Sequence, residues 1–445
     1  MKLDSGNTAW MLAATALVLL MTPGLAFFYG GMVRSKNVLA MLMQNFVCMG
    51  IVSVLWVIDL FSLAFGPDKV HGLIGDPATH LGLKTGGTLF VAGVPTAVIA
   101  AFQITFAIIT PALITGAVAD RLRFGPFVLF VTAWSILVYA PIAHWVWGGG
   151  WLAQFHSVKD ATSGAITKLG VEDFAGGTVV HINAGIAGLA LTLVLGKRIG
   201  WPKERMRPHN VPYVMLGAGL LWFGWLGFNA GSELAADTTA GYALVNSVVA
   251  TAAAMLAWLI VEKVRDGHAT SLGAASGLVA GLVAITPACG FVTPVGAIWI
   301  GVIAGVVCAL AVALKFKFGF DDSLDVVAVH LIGGILGALS IGFFGQDAVN
   351  SLGRDGLFYG GGLGQLGRQC VGVGAVLVFT FVMTFIIAKV IDMVWGLRVS
   401  RDVELEGLDI NLHAESAYDS GGPASHTSIP EASMPGVSSE EKVSS

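Results

Sequence analysis

The sequence predicts an all-α integral membrane protein of about eleven transmembrane helices, arranged as a pseudo-two-fold inverted repeat of five plus five helices with an extra C-terminal helix. Three observations predict it. Of the 445 residues, 55% are hydrophobic and 12% charged, with a mean hydropathy of +0.79, which no water-soluble domain of this size tolerates. Apolar runs of about 20 residues, the length a helix needs to cross the hydrocarbon, recur along the chain. Two distant stretches also repeat one arrangement: Asp173-Phe-Ala-Gly-Gly-Thr-Val-Val-His181-Ile-Asn-Ala-Gly185-Ile-Ala-Gly188, and Asp325-Val-Val-Ala-Val-His330-Leu-Ile-Gly-Gly334-Ile-Leu-Gly337. In each, a His is followed by small residues that share its helix face, so another helix or a narrow pore can approach the backbone closely.

In chain order the spans fall at about 8-31, 39-66, 94-119, 125-147, 174-196, 212-231, 242-262, 271-289, 293-314, 325-345 and 370-396. The first ends in Pro-Gly and aromatic residues instead of a small-residue cleavage site, so it reads as a span and not as a removable signal. The 59 glycines fit helix packing in lipid, where small residues stand in for the missing hydrophobic drive. Cys48, Cys289, Cys308 and Cys370 all lie in apolar runs without metal spacing and read as core residues. One set of loops carries Arg34, Lys36, Arg121, Arg123, Lys197, Arg198, Lys203, Arg205, Arg207, Lys263, Arg265, Lys315 and Lys317, with Arg398 and Arg401 after the last span. The other carries Lys2, Lys69, Lys84, Lys159, Lys168, Arg354 and Arg368. The positive-inside rule then puts the N-terminus outside and the C-terminus in the cytoplasm, in the cell inner (plasma) membrane.

The twin stretches fall on the fifth and tenth spans, so the repeats cover about 8-196 and 212-345, and the transporter domain 1-397. A unit repeated after an odd number of crossings is inverted, an architecture that places the site at the repeat interface. Counting along each span puts His181 about 12 Å below the outer end and His330 about 8 Å above the inner one, close enough to meet near the midplane. Residues 398-445 form a cytoplasmic tail, whose end from about 420 has too little apolar content to order itself.

A matched His pair inside the membrane reads as a helix brace, a pore lining, a proton relay or a pair of haem ligands. Tight small-residue packing argues against the macrocycle. Asp173 is placed to cap the fifth helix, or to hold cation charge at its mouth, and Asp325 opens the tenth helix similarly. Aromatic residues gather at outer span ends: Phe102 and Phe106, Trp145 and Trp147, Trp225 and Phe228, the last followed by Ser232. They suit an interfacial belt or, with a hydroxyl acceptor, a cation-π site. No phosphate loop, GxSxG, HExxH or clustered Cys/His ligands appear, so no enzyme, metal, cofactor or nucleic-acid partner is expected.

Together these residues resemble the ammonium transporter family (Amt/Mep/Rh), in its bacterial branch, from the Pro-Gly-Leu-Ala-Phe-Phe-Tyr-Gly-Gly run at 23-31 to Gly-Leu-Asp-Ile at 407-410. The resemblance implies ammonium/ammonia transport by a homotrimer with one pore per subunit. It implies an outer recruitment site at Trp147, Phe106, Phe228 and Ser232, with the two Phe also as a gate. It further implies a pore pair at His181 and His330, Asp173 as vestibule support, and a tail at about 398 to 419 that serves as a dock for a PII-type signalling protein. Asp59, inside the second span, departs from the family's uncharged or aromatic residue. An ammonium sensor of the same fold and a His-ligated membrane redox protein are the rival readings.

Overall fold

The structure, a computed structural model, describes residues 2–153, 169–204 and 206–418. The expected disorder beyond about 420, and Lys159, Lys168 and Arg205, lie outside the described residues. Among the described residues, eleven apolar helices lie at or near the expected spans: α1 Ser5–Met32, α2 Ser35–Phe65, α3 Thr96–Val118, α4 Phe124–Val146, α5 Gly177–Leu195, α6 Val211–Gly231, α7 Thr238–Asp266, α8 Ser271–Ile285, α9 Pro294–Phe318, α10 Val327–Phe344 and α11 Gly364–Trp395. Ten are long enough to cross a bilayer, and α8, at 15 residues, is shorter than predicted. It stops because Thr286-Pro287-Ala-Cys-Gly leaves the helix, and the carbonyl of Ala284 and the ring of Pro287 then become the surface on which the glycines of α5 and α10 pack. Among the described residues every regular element is helical, apart from isolated antiparallel bridges.

α1 runs along α6, and α7 packs on both α8 and α9. Between these halves, α5 and α10 cross at glycines. A Cβ on Gly185 would lie 2.5 Å from the Leu331 nitrogen, and one on Gly334 would lie 3.0 Å from the Ile182 side chain, so each helix sinks into the other beside its own histidine. Gly337 is closer still to a neighbour, since its Cβ would meet the Ala284 carbonyl at 2.1 Å. Only the absence of side chains permits this separation.

Both helices begin with a π-helical turn, Gly177–Ile182 and Val327–Ile332, and each turn carries the histidine. Such turns widen the helix and re-aim side chains. α5 and α10 therefore start a few residues later than predicted, and the loops ahead of them descend into the bundle as capping segments.

The basic loop residues gather at the end where the tail docks. Arg198 bridges Asp120 at 3.3 Å and Asp321 at 2.8 Å, and Arg34 reaches Asp120 at 3.3 Å. The fully buried Arg121 donates to the carbonyls of Gly196, Ala119 and Asp321, which tie together the C-terminal ends of α3 and α5. The tail forms α12, Arg401–Glu406, and a π turn at Asp409–His413. The Asp409 carboxylate accepts from the Leu39 and Ala40 N–H groups at 3.0 and 2.8 Å and so caps the start of α2 from 370 residues away. Glu404 takes the Ile199 N–H at 2.6 Å and pairs with Arg398 at 2.8 Å.

Two expectations need correction. Cys48, Cys289 and Cys308 are buried, but Cys370 is exposed, because it sits on the outward face of α11. Asp325 does not cap α10. It has a left-handed backbone (φ 62°), and its carboxylate pairs with Lys315 Nζ at 2.7 Å. The cap is Asp322, which takes the Val327 N–H at 2.7 Å. Asp59 lies half-buried on a π turn, Trp56–Leu60, with one carboxylate oxygen enclosed and unbonded among the described residues.

Candidate functional site: an aromatic path to a histidine pair

Asp173 organises the end of the site that carries Trp147. Its carboxylate accepts from the backbone N–H groups of Gly176 at 2.9 Å, Gly177 at 2.6 Å, Thr178 at 2.8 Å and Val179 at 3.2 Å, and from the Thr178 hydroxyl. These are the orphan donors of the first turn of α5, which water cannot reach. Gly176, with φ at 116°, supplies the left-handed bend that turns the chain back over the carboxylate. Burial pushes the carboxyl up from its usual range, and the hydrogen bonds from Thr178, Gly176 and Val179 oppose that shift. The main chain of the same residue takes the Trp147 indole N–H at 2.9 Å. One residue thus fixes both the start of α5 and the indole at the partly exposed end of the ring path.

From Trp147 the rings run inward without a break. Trp147, partly exposed, stands edge-on to Phe106 at 5.7 Å between centroids. Phe106 stacks on Phe228 at 4.2 Å, too close to admit anything between them. Phe228 lies 6.1 Å from His181, and Trp225 stacks on that imidazole at 5.3 Å. His181 and His330 meet with their Nδ1 atoms 3.3 Å apart. At that distance one Nδ1 carries a proton and donates, and the other accepts. Around them is a narrow cavity whose remaining walls are aliphatic, among them Leu25, Ile109, Leu113 and Val180. The Nε2 of His181 is buried without a partner among the described residues, so a small polar guest would find one there.

Ser232 follows the end of α6, partly exposed, with its hydroxyl donated to the Phe228 carbonyl at 2.8 Å and its lone pairs left to accept. Phe102 packs on Phe106 at 4.9 Å, behind the path. Trp145 does not join it: its indole goes to the Leu73 carbonyl at 2.9 Å and its ring lies against Trp151 and Phe379. The stacking of Trp225 on His181 was not among the expected roles, although its three-residue offset from Phe228 puts both on one face of α6. Trp225 is pinned by Thr286, whose hydroxyl takes the indole N–H at 2.8 Å. Asp322 could also have been found by spacing, since it precedes His330 by the eight residues that separate Asp173 from His181.

The profile described as the Ammonium Transporter Family matches residues 9–418. The chain belongs to the ammonium transporter family. An ammonium transporter of Mycobacterium tuberculosis (strain H37Rv) is 53% identical, over 94% of this chain and 91% of that relative. One from Bacillus subtilis (strain 168) is 46% identical, over 94% and 99%. The crystal structure of Saccharomyces cerevisiae Mep2 superposes with a TM-score of 0.82 at 35% identity, covering 90% of this chain and 89% of that one. A structure titled Sensor Amt Protein superposes at 0.81 with 29% identity, covering 91% and 98%. As a member of this multi-pass membrane family, the chain has the histidine pair and ring path at the centre of its helix bundle.

Replacing Asp173 with Ala is expected to leave four first-turn N–H groups without their acceptor and to lower stability by at least about 2 kcal/mol. Asp173→Asn should recover part of the loss. Thermal melts of the two detergent-purified variants beside the parent check this, and coincident melting curves would mean that the carboxylate bears no structural load.

Proposed function

We propose that this protein moves ammonium nitrogen inward across the cell membrane. Ammonium is gathered at the outer mouth by Trp147, Phe106, Phe228 and Ser232 and gives up its proton, which either returns to the external water or follows the ammonia by way of the histidine pair. Neutral ammonia then passes the two Phe rings and the cavity lined by His181 and His330. The observation that carries this reading is the unbroken ring path from a partly exposed indole to a histidine pair in aliphatic surroundings.

The physical logic is one of desolvation. Ammonium, like a lysine amine, is almost wholly protonated at neutral pH. A bare cation pays heavily to enter an apolar cavity, whereas the neutral molecule needs only a hydrogen bond at each end. Aromatic faces and a hydroxyl acceptor replace part of the cation's water outside, and the imidazole pair offers donor and acceptor positions inside. Potassium, which cannot shed charge, gains nothing from such a path. The basic residues at the tail-bearing end support a cytoplasmic C-terminus and an external N-terminus in the inner (plasma) membrane. The α5/α10 correspondence supports five-plus-five inverted repeats, and the family resemblance supports a homotrimer.

Likeness to a sensor protein favours sensing as the second reading. Proteoliposomes containing only this protein separate the two: current or ammonium uptake establishes transport, and current also shows that charge accompanies the nitrogen. Binding without uptake would leave the sensor.

Trp147→Leu should weaken recruitment by about 1 kcal/mol, the worth of a half-exposed cation-π face, which is roughly fivefold in half-saturation. Parent-like half-saturation and cation selectivity would return Trp147 to an ordinary interfacial role. Replacing the pore pair should have a different outcome. His181→Asp and His330→Ala, first confirmed as assembled by size exclusion, should lose ammonium transport or begin to admit potassium, because the cavity then holds water. Ammonium currents matching the parent, with potassium still excluded in both variants, would make the pair a helix brace.

The docked tail suits a dock for a PII-type signalling protein, because α12 and the turn after it present a folded surface on the basic face. Truncation after Leu397 should leave membrane insertion intact and abolish PII co-purification. Unchanged co-purification would place any such partner elsewhere.

A further inference from the structure

Immediately before Asp173, Glu172 is fully buried, and neither carboxylate oxygen has a hydrogen bond of ordinary geometry among the described residues. Its main chain is firmly held instead. The Gln369 side chain accepts the Glu172 N–H at 2.8 Å and donates to its carbonyl at 2.7 Å, as an adjacent strand would. Leu169 and Val171 donate to the Trp151 and Leu152 carbonyls at 2.9 and 3.0 Å.

Among the described residues, the charges that face the carboxyl come from two elements. Arg354, in the loop before α11, holds Nη1 3.7 Å from Oε1, too far for a hydrogen bond, and turns its backbone N–H toward the same group. That guanidinium also donates to the Gly170 carbonyl at 3.1 Å and to Gln365 at 3.3 Å. Arg368, on α11, adds a second positive charge. Asp173, on the same segment, directs its carboxylate away into the first turn of α5, and α10 contributes no charge but the Ala338 carbonyl, already taken by Gln369 at 2.9 Å. Burial outweighs both arginines and pushes Glu172 up to about 8.

We propose that Glu172 is a positioning residue for the outer site, its protonation state setting the Gly170–Asp173 segment and, through Asp173, the place of Trp147. As the neutral acid it leaves the gap to Arg354 open. When its proton passes to external water, the carboxylate draws the guanidinium into a charge-assisted bond, typically about 2.8 Å long. Gly170 and Gln365 then lose that donor. The Asp173 carbonyl that holds the Trp147 indole at 2.9 Å shifts with its neighbour. Alkaline medium outside the cell thereby loosens recruitment. The transport readout rests on the ammonium reading above, but the ionisation does not.

The test has two arms on the full-length protein. Half-saturation for ammonium is measured from about pH 7 to 9 in the parent and in Glu172→Gln, in identical solutions, so that the substrate's own titration cancels in the ratio. The parent should rise relative to the variant by up to about fivefold, the whole Trp147 contribution. Difference infrared spectra, parent minus Glu172→Gln, should show a protonated carboxyl band that vanishes as pH rises through about 8. Arg368→Gln, which removes one favourable charge, should move that midpoint higher and keeps the test available if Glu172→Gln does not fold. An alkaline rise retained in Glu172→Gln, no titrating band, or a midpoint indifferent to Arg368 would overturn the assignment. The infrared arm needs no transport, so a titrating band without ammonium uptake would count against the proposed function alone.

Discussion

The structure depends on one constraint: two imidazoles enclosed by aliphatic and aromatic side chains have each other as polar partners. Their 3.3 Å contact requires two helix backbones to approach far closer than ordinary side chains allow. Gly185 against Leu331 and Gly334 against Ile182 supply that approach from both sides. The π turns supply the aim. The capping carboxylates supply the starts, because helices that begin inside a bundle must satisfy their first N–H groups without water. Glycines, wide turns and buried aspartates are separate features of the sequence, and the histidine contact needs all of them together.

That dependence explains what was legible in the sequence. The spans were, because a bilayer writes its thickness into apolar run length. The pairing of His181 with His330 was, because their surroundings repeat. The choice between Asp322 and Asp325 was not obvious: a carboxylate five residues ahead of a histidine looks as good a cap as one eight ahead until the loop is folded, and Asp325 is diverted by Lys315 from outside its own segment. The aromatic residues sorted themselves only in three dimensions. Trp145 and Trp147 are two apart, which on a helix sends them to different faces, and only Trp147 meets the ring path. Glu172 gave no signal at all, since an acid in a loop between spans is ordinary until it proves to be buried.

The inner end shows the same reliance on distant partners. Asp409, in a tail that composition alone leaves ambiguous, caps α2 in place of a local residue. Asn37, immediately before the α-helical part of α2 at Val38, takes the Leu408 N–H on its side-chain oxygen at 2.8 Å instead of capping that turn. α2 and the tail are therefore tied to each other twice, at Asp409 and at Asn37, each side supplying an acceptor to the other's backbone.

The Phe106–Phe228 stack has a further bearing on the energetics of the cell. With centroids 4.2 Å apart the rings leave no opening between them. On the proposed transport reading, a membrane crowded with copies of this protein remains an insulator, holding its voltage and its pH difference. If ammonia takes the proposed path, passage waits on the swinging aside of two rings, an intermittent thermal event, and turnover follows the tempo of side-chain motion and not the width of a standing hole.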